Sequence, residues 1–414
     1  MKRPLQAMRP TATPWFAVTA VALVAATYGL ARFGYGLFLP AFSESFALTP
    51  AMAGLLSSGA SVTYCISAVL GFRYAPHHPR FTTILAGSTA TLGSGGVAAA
   101  QGTISFSAAV LLAGMGAGFA SPALVELVQR NTAPARQDRL QSVVNSGTGF
   151  GVVAAGALAL LLGTSWRAVW VLIAVITFTA MVGVLRSDVS RTEAHSGVPH
   201  YEEASADTGG SSVRDLNWPM ASAFVFGIGC AALWVYGRSL LEDVGGMTVE
   251  TSATVWMVLG AGSAAAVLLA PWLARHSVET TWYVTVGATS AATVAFALVP
   301  TIPALSLAAA GLFGLAYTAA TSVLIIWSSH TAVNSAAGTS ILFTCLVLGQ
   351  AIGSTVTGTL IEATNSVFAF VTAGVLCLIS ALGASTQRTT PSGRKGDAAL
   401  SMTEGHQHHP QKYR

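Results

Sequence analysis

Residues 15–39 read WFAVTAVALVAATYGLARFGYGLFL, twenty-five consecutive positions that hold a single charged side chain, Arg32. A helix needs about 20 mostly apolar residues to cross the hydrocarbon core of a bilayer. This run is continuous and does not alternate, so it predicts a spanning helix and not a barrel strand. Working outward, eleven more such runs follow. The first half adds 51–74, 81–100, 104–128, 140–162 and 166–185; the second half has 218–241, 252–273, 281–299, 304–328, 338–361 and 367–382. Over 414 residues, 53% are hydrophobic and 9% charged, whereas a soluble domain carries about 25% charged residues. So few charges do not cover the surface of a soluble chain this long. Water-soluble enzymes, nucleic-acid binders and disordered proteins are excluded, and most of the solvent of this chain is lipid.

The basic residues set an expected orientation. With the N-terminus in the cytoplasm, 17 of the 20 lysines and arginines fall in inner segments, and only Arg167 lies in an outer loop. The other two, Arg32 and Arg238, lie inside spans. By the positive-inside rule both termini are cytoplasmic and the protein is multi-pass, the expected location being a bacterial inner (plasma) membrane. Lys2, Arg3 and Arg9 precede the first run as in a signal peptide, but that run is too long for a signal core, and no cleavage is expected.

The resulting layout is a cytoplasmic N-terminal tail (1–14), a six-helix bundle (15–185), a linker (186–217), a second six-helix bundle (218–383) and a C-terminal tail (384–414). The linker, RSDVSRTEAHSGVPHYEEASADTGGSSVRDLN, is polar and aperiodic and predicts a flexible cytoplasmic segment. The tail stretch GHQHH (His406, His408, His409) reads as a solvated end ahead of a metal site. Cys65, Cys230, Cys345 and Cys377 all sit in apolar runs, where cysteine packs as a small hydrophobe; neither a disulfide framework nor a zinc site is expected.

The halves resemble each other. Gly147, Gly151 and Gly156 in the fifth run match Gly349, Gly353 and Gly358 in the eleventh at a constant offset of 202, with Leu158 and Leu360 following in register. Tyr35-Gly36 matches Tyr236-Gly237 at an offset of 201, and Gly114 matches Gly311 in depth. Such small-residue faces let helix backbones approach closely in lipid, whether for tight packing or as a sliding surface. A duplicated six-helix unit around a central linker is a pattern of secondary transporters, whose solute site lies near the midplane between the halves.

At this point the sequence resembles the major facilitator superfamily, over nearly the whole chain. The six-plus-six arrangement, the long central loop and Trp166-Arg167 opening the sixth helix carry the likeness. YGLARFGYGLFLP (28–40), GMGAGFASPALVE (114–126) and NSGTGFG (145–151) look like the YbfB-like bacterial branch. The resemblance implies an all-α membrane fold of twelve helices in two pseudo-symmetric bundles, with the first, fourth, seventh and tenth helices lining a central cavity. The sequence also departs from the family pattern. In GFRYAPHHPR (71–80) only Gly71 and Arg80 match the usual second-loop motif, and Ala75-Pro76 stands where Asp-Arg is usual. Val110 replaces the fourth-helix arginine, and Val152 replaces the proline of the antiporter pattern. The family's cytoplasmic latch and proton-linked arginine therefore do not carry over.

Ionisable groups inside a span cost several kcal/mol (about 3 upward) unless paired or wet. Arg32 lies eight residues before Pro40, about 12 Å below the expected outer helix end at 1.5 Å per residue. It cannot shed its charge, so it needs an anion, carbonyls or water. The expectation is that Arg32, with Arg238, meets an anionic group of the solute, with Tyr35, Trp234 and Tyr236 as aromatic walls. Bonding to helix-end carbonyls is the alternative for Arg32. For Arg238 it is snorkelling to the surface or pairing with Glu242 four residues on. Glu126, near the inner end of the fourth run, is either a proton-coupling site or a helix-end partner of Arg130, four residues later. Gln350 and Asn145 read as hydrogen-bonders between helices.

No phosphate loop, metal-ligand spacing or nucleophile–base arrangement is present in the sequence, and no cofactor is expected. The reading is a secondary transporter, not an enzyme. It would move a small solute, an organic anion coupled to protons, by alternating access between two bundles. The remaining alternatives are efflux of amphiphiles, a channel and a transporter-like sensor without turnover. The expected partners are the solute, protons and lipid, with no nucleic acid and a monomeric state favoured.

Overall fold

In the computed structural model, residues 14–163, 165–188, 216–332 and 335–385 are described. Among them the fold is all helical, with no strand. Twelve helical units run in chain order, followed by a single helical turn at Leu382–Ser385. They are α1 (Pro14–Phe46), α2 (Pro50–Tyr74), α3 (Pro79–Ala99), α4 (Thr103–Asn131), α5 (Pro134–Leu162), α6 (Trp166–Ser187), α7 (Asn217–Val244), α8 (Val249–Arg275), α9 (Val278–Leu298), α10 (Pro303–Thr331), α11 (Ser335–Ala363) and α12 (Ser366–Ile379). Ten are long and apolar enough to cross a membrane. The other two are α3, which buries Thr82, Thr83 and Ser94 among its neighbours, and α12, which is short. The N- and C-terminal tails and most of the linker, with His406, His408 and His409, lie outside the described residues.

Helix ends follow local chemistry. Pro50, Pro79, Pro134 and Pro303 stand in first turns, where the missing N–H costs nothing and φ is preset. Thr49, Thr248, Ser277 and Asn365 cap α2, α8, α9 and α12 through side-chain oxygens that accept backbone N–H groups. Arg167, the lone outer-loop arginine of the sequence reading, donates to the carbonyls of Ala98 and Ala100 at 2.9 and 2.7 Å. It thereby caps the C-terminal end of α3, where the helix dipole favours a cation.

The face with the α1–α2 turn is called the hairpin face, and the face with residues 14, 188, 216 and 385 the tail face. At the hairpin end of the first half, Phe42 packs with ring centroids 4.8 Å from Phe106 and 5.1 Å from Trp166. In the second half Trp282 sits 5.5 Å from Phe226 and 5.6 Å from Trp327. Apolar side chains such as Leu55, Ile66 and Val69 of α2 and Val171, Val175 and Phe178 of α6 remain exposed, as a lipid-facing surface requires.

The glycine repeat recurs in three dimensions. A Cβ on Gly147 or Gly151 would overlap the carbonyl oxygens of Val21 and Ala25 on α1. A Cβ on Gly349 or Gly353 would meet those of Phe224 and Ile228 on α7. The third glycines reach across the halves, Gly156 against Met257 of α8 and Gly358 against the Pro50 carbonyl of α2. Thus α5 packs on α1 and α8, and α11 packs on α7 and α2. Cys230 and Cys377 lie buried with sulfurs 3.8 Å apart, as free thiols.

Three expectations change. Pro40 does not end α1; it lies inside a helix that runs on to Phe46. Arg32 is therefore 14 residues from the helix end, about 21 Å at 1.5 Å per residue, and sits near the middle of α1. Next, α1 and α7 are not uniform α-helix, because Ala25–Arg32 and Leu240–Val244 are π-helical. The bond from Phe33 N to the Tyr28 carbonyl, 2.9 Å, closes the first of these. Finally, the linker does not begin as a solvated segment. The Asp188 side chain is fully buried and accepts hydrogen bonds from Arg80 (3.0 Å), from Arg130 through both Nε (3.1 Å) and a terminal nitrogen, and from Asn131 (2.9 Å). One carboxylate thus ties the tail-face ends of α3, α4 and α6 together.

Candidate functional site

The site starts from the π-helical turn of α1. A π turn shifts the side chains that follow it relative to an α-helix, and such turns recur at functional sites. Here the turn ends on Arg32. Close packing of Gly29 against Gly151 holds the turn against α5. The Arg32 guanidinium, half-buried, donates from Nη2 to Gln350 Oε1 at 3.0 Å. It also lies 4.2 Å from the Tyr64 ring centre and 5.6 Å from that of Phe33, a cation–π arrangement. Among the described residues no carboxylate lies within ion-pair distance of it.

Gln350 in turn donates from Nε2 to the Tyr317 hydroxyl at 3.0 Å. A hydrogen-bonded chain therefore crosses from α1 of the first half to α11 and α10 of the second. Phe33 stacks on Trp234 with centroids 4.0 Å apart, a second crossing at the same depth. Arg32, Phe33, Trp234 and Gln350 border a cavity of about 40 Å³, which Tyr35, Ser57, Ser61 and Ser354 also line.

Of the proposed site residues, the fold brings Arg32, Tyr35 and Trp234 to this cavity. Tyr35 spends its hydroxyl on the Ala53 carbonyl at 2.9 Å. Trp234 is 5% exposed, and its indole N–H finds no acceptor among the described residues. Tyr236 and Arg238 do not line the cavity. The Tyr236 hydroxyl lies 2.8 Å from the Pro50 carbonyl and 3.0 Å from that of Ser354. Arg238 neither snorkels to the surface nor lines the cavity. It is 5% exposed, pairs with Glu242 at 2.6 Å, and donates to Ser252 and to the Leu37 carbonyl. With the bond from Ala51 N to Glu362 (2.9 Å), these contacts tie the halves together at the hairpin face.

Glu126 also departs from one of its expectations. It does not pair with Arg130, whose guanidinium is held by Asp188. It instead borders a tail-face pocket with Pro76, His77, Pro79, Gln129 and Arg130, away from the Arg32 cavity. Asn145 bonds within its own helix, to Gln141 at 3.0 Å. Gln350 as the partner of Arg32, Tyr64 as the ring against its guanidinium and Ser61 as a cavity wall were not expected from the sequence. A polar residue in an otherwise apolar run was the available signal for Gln350; nothing in the sequence paired it with position 32.

A model of the Major Facilitator Superfamily matches residues 21–343. Among solved structures, a point mutant of the nucleoside transporter NupG aligns with a TM-score of 0.71 at 12% identity, covering 90% of this chain and all of that one. A D-xylose-proton symporter gives 0.71 at 13% identity over 89% of this chain and 97% of that one. An inward-facing, unoccupied bacterial homolog of the human lysosomal transporter Spinster gives 0.67 at 15%, over 90% and 95%. At these identities the likeness is one of fold. No curated protein sequence matches the chain.

Proposed function

Because the chain belongs to the Major Facilitator Superfamily, and so is a multi-pass membrane transporter of a small solute rather than an enzyme, we propose that it carries a small organic anion, coupled to protons, across a bacterial inner membrane. The observation that carries this reading is Arg32, a permanent cation near the middle of α1 that meets a neutral amide and aromatic faces where the two halves touch. Such a cation is costly unless water or a ligand neutralises it, and a secondary transporter places its solute there. Arg32 binds the anion, Tyr35 and Trp234 wall it, and Tyr236 and Arg238 close the hairpin face above it.

In this reading the tail face is cytoplasmic, as the basic residues indicate. The hairpin-face ties then describe the state closed to the outside, and rocking of the halves breaks them in turn. Glu126, half-buried at a tail-face pocket and without an ion pair among the described residues, loads and releases the coupled proton. The first-helix stretch 28–40 supports placement in the YbfB-like branch.

A thermal-shift screen of organic acids on the purified protein supplies the solute, and counterflow of that solute, labelled, in proteoliposomes measures carriage. Arg32→Ala abolishes counterflow and Arg32→Lys reduces it, in protein that inserts and elutes as wild type. Unchanged counterflow in Arg32→Ala removes Arg32 from the site.

A further inference from the structure

The cavity beside Arg32 holds a cation and no carboxylate. Only one guanidinium N–H group has a hydrogen-bond acceptor among the described residues, the Gln350 oxygen. Three buried indole N–H groups are left without acceptors among the described residues, those of Trp170, Trp234 and Trp256, and of these three residues only Trp234 lines this cavity. The Ser61 side chain is buried on the same wall. No carboxylate lines the cavity. A buried donor without an acceptor forfeits its hydration, so it marks the place of an absent partner.

Gln350 has the shape of that partner. Its amide matches a carboxylate in planarity and size, and its oxygen sits where a carboxylate oxygen would accept from Arg32. The bond from its nitrogen to Tyr317 fixes the oxygen toward Arg32.

We infer that the site takes a small monocarboxylate, whose carboxylate displaces the Gln350 amide oxygen from Arg32 and takes the Trp234 indole N–H as a second donor. This rests on the reading above that Arg32 meets the solute. The charge count sets the valence. One uncompensated cation is neutralised by one negative charge, while a second carboxylate would be buried unpaired. A neutral amide would only replace Gln350 with its like and gain no charge-assisted bond. The small cavity sets the size, with room for a few non-hydrogen atoms. Binding also trades a bond between the halves for a bond to the solute, so arrival of the anion frees α11 from α1.

The test is calorimetric titration of the full chain in nanodiscs with propionate, propionamide and malonate. Propionate is expected to bind about tenfold or more tighter than either of the others. Gln350→Glu places a resident carboxylate on Arg32 and should abolish propionate binding. Gln350→Leu removes the competitor and should tighten propionate severalfold. Equal or tighter binding of propionamide or malonate overturns the monocarboxylate assignment. Wild-type propionate affinity in Gln350→Glu, or unchanged affinity in Gln350→Leu, overturns the displacement. Arg32→Ala separates this inference from the reading beneath it. If malonate or propionamide binds best and that binding is lost in Arg32→Ala, the solute site stands and only its valence is wrong. If none of the three probes binds in an Arg32-dependent way, both fall.

Discussion

Replacing Asp188 by alanine should destabilise the first half strongly, although the residue lies beyond the end of α6 and far from the Arg32 cavity. Its side chain is fully buried and accepts four hydrogen bonds, three from arginines and one from Asn131. Removing one partner of a buried ionic cluster costs about 3–5 kcal/mol, because the opposite charges are left uncompensated. Here the Arg80 and Arg130 side chains are 43% and 30% exposed, so both recover part of their hydration. The expected loss is therefore at the low end, about 3 kcal/mol. For a cooperative unit of this size, 1 kcal/mol moves the melting temperature by about 2–4 °C, so Asp188→Ala should melt about 6–12 °C below wild type. Asp188→Asn keeps the shape and one acceptor oxygen and should lose about half as much. The assay is thermal unfolding of the purified protein in detergent, followed by tryptophan fluorescence. A shift under about 2 °C for Asp188→Ala would refute the reasoning, since it would mean that α3, α4 and α6 are held together without the carboxylate.

Arg238→Ala strands Glu242 and the Leu37 carbonyl and should cost about 3 kcal/mol of stability, while the protein that folds keeps its solute affinity; a loss of affinity without a loss of stability would return Arg238 to the solute site. Gly151→Val pushes a side chain into the Ala25 carbonyl oxygen at the Gly29 crossing and should abolish a monodisperse peak in size-exclusion chromatography. The matched change Gly287→Ala meets open space and should be neutral or gain up to about 1 kcal/mol of helix propensity. Glu126→Gln should flatten the pH dependence of solute uptake and leave solute binding intact, and an unaltered pH profile would dismiss Glu126 as the coupling group.

Much of the fold was legible because the bilayer imposes a length and a polarity on each crossing segment, and both are one-dimensional properties of a sequence. The twelve runs and the paired glycine triplets needed no contact information. Helix ends were less legible. Pro40 suggested a stop, yet α1 continues through it, since proline inside a spanning helix is tolerated where neighbouring helices support the freed backbone. Asp188 looked like solvated linker, because burial of a charge depends on which distant arginines converge on it. The site was legible in its charges and obscure in their partners. Arg32 stood out as a lone cation, but Gln350, its hydrogen-bond acceptor, lies 318 positions away on another bundle.

The sequence by itself determined that this chain lives in lipid, crosses it many times and repeats one six-helix unit, because hydrophobic length and helical periodicity are local. Only the tertiary structure decided that Arg238 closes a face while Arg32 waits on a neutral amide. The Glu242 partner of Arg238 was already legible, four residues on along the same helix. What packing alone settles is that the Leu37 carbonyl of α1 meets Arg238 and that Gln350 of α11 meets Arg32, because these partners come from opposite halves of the chain.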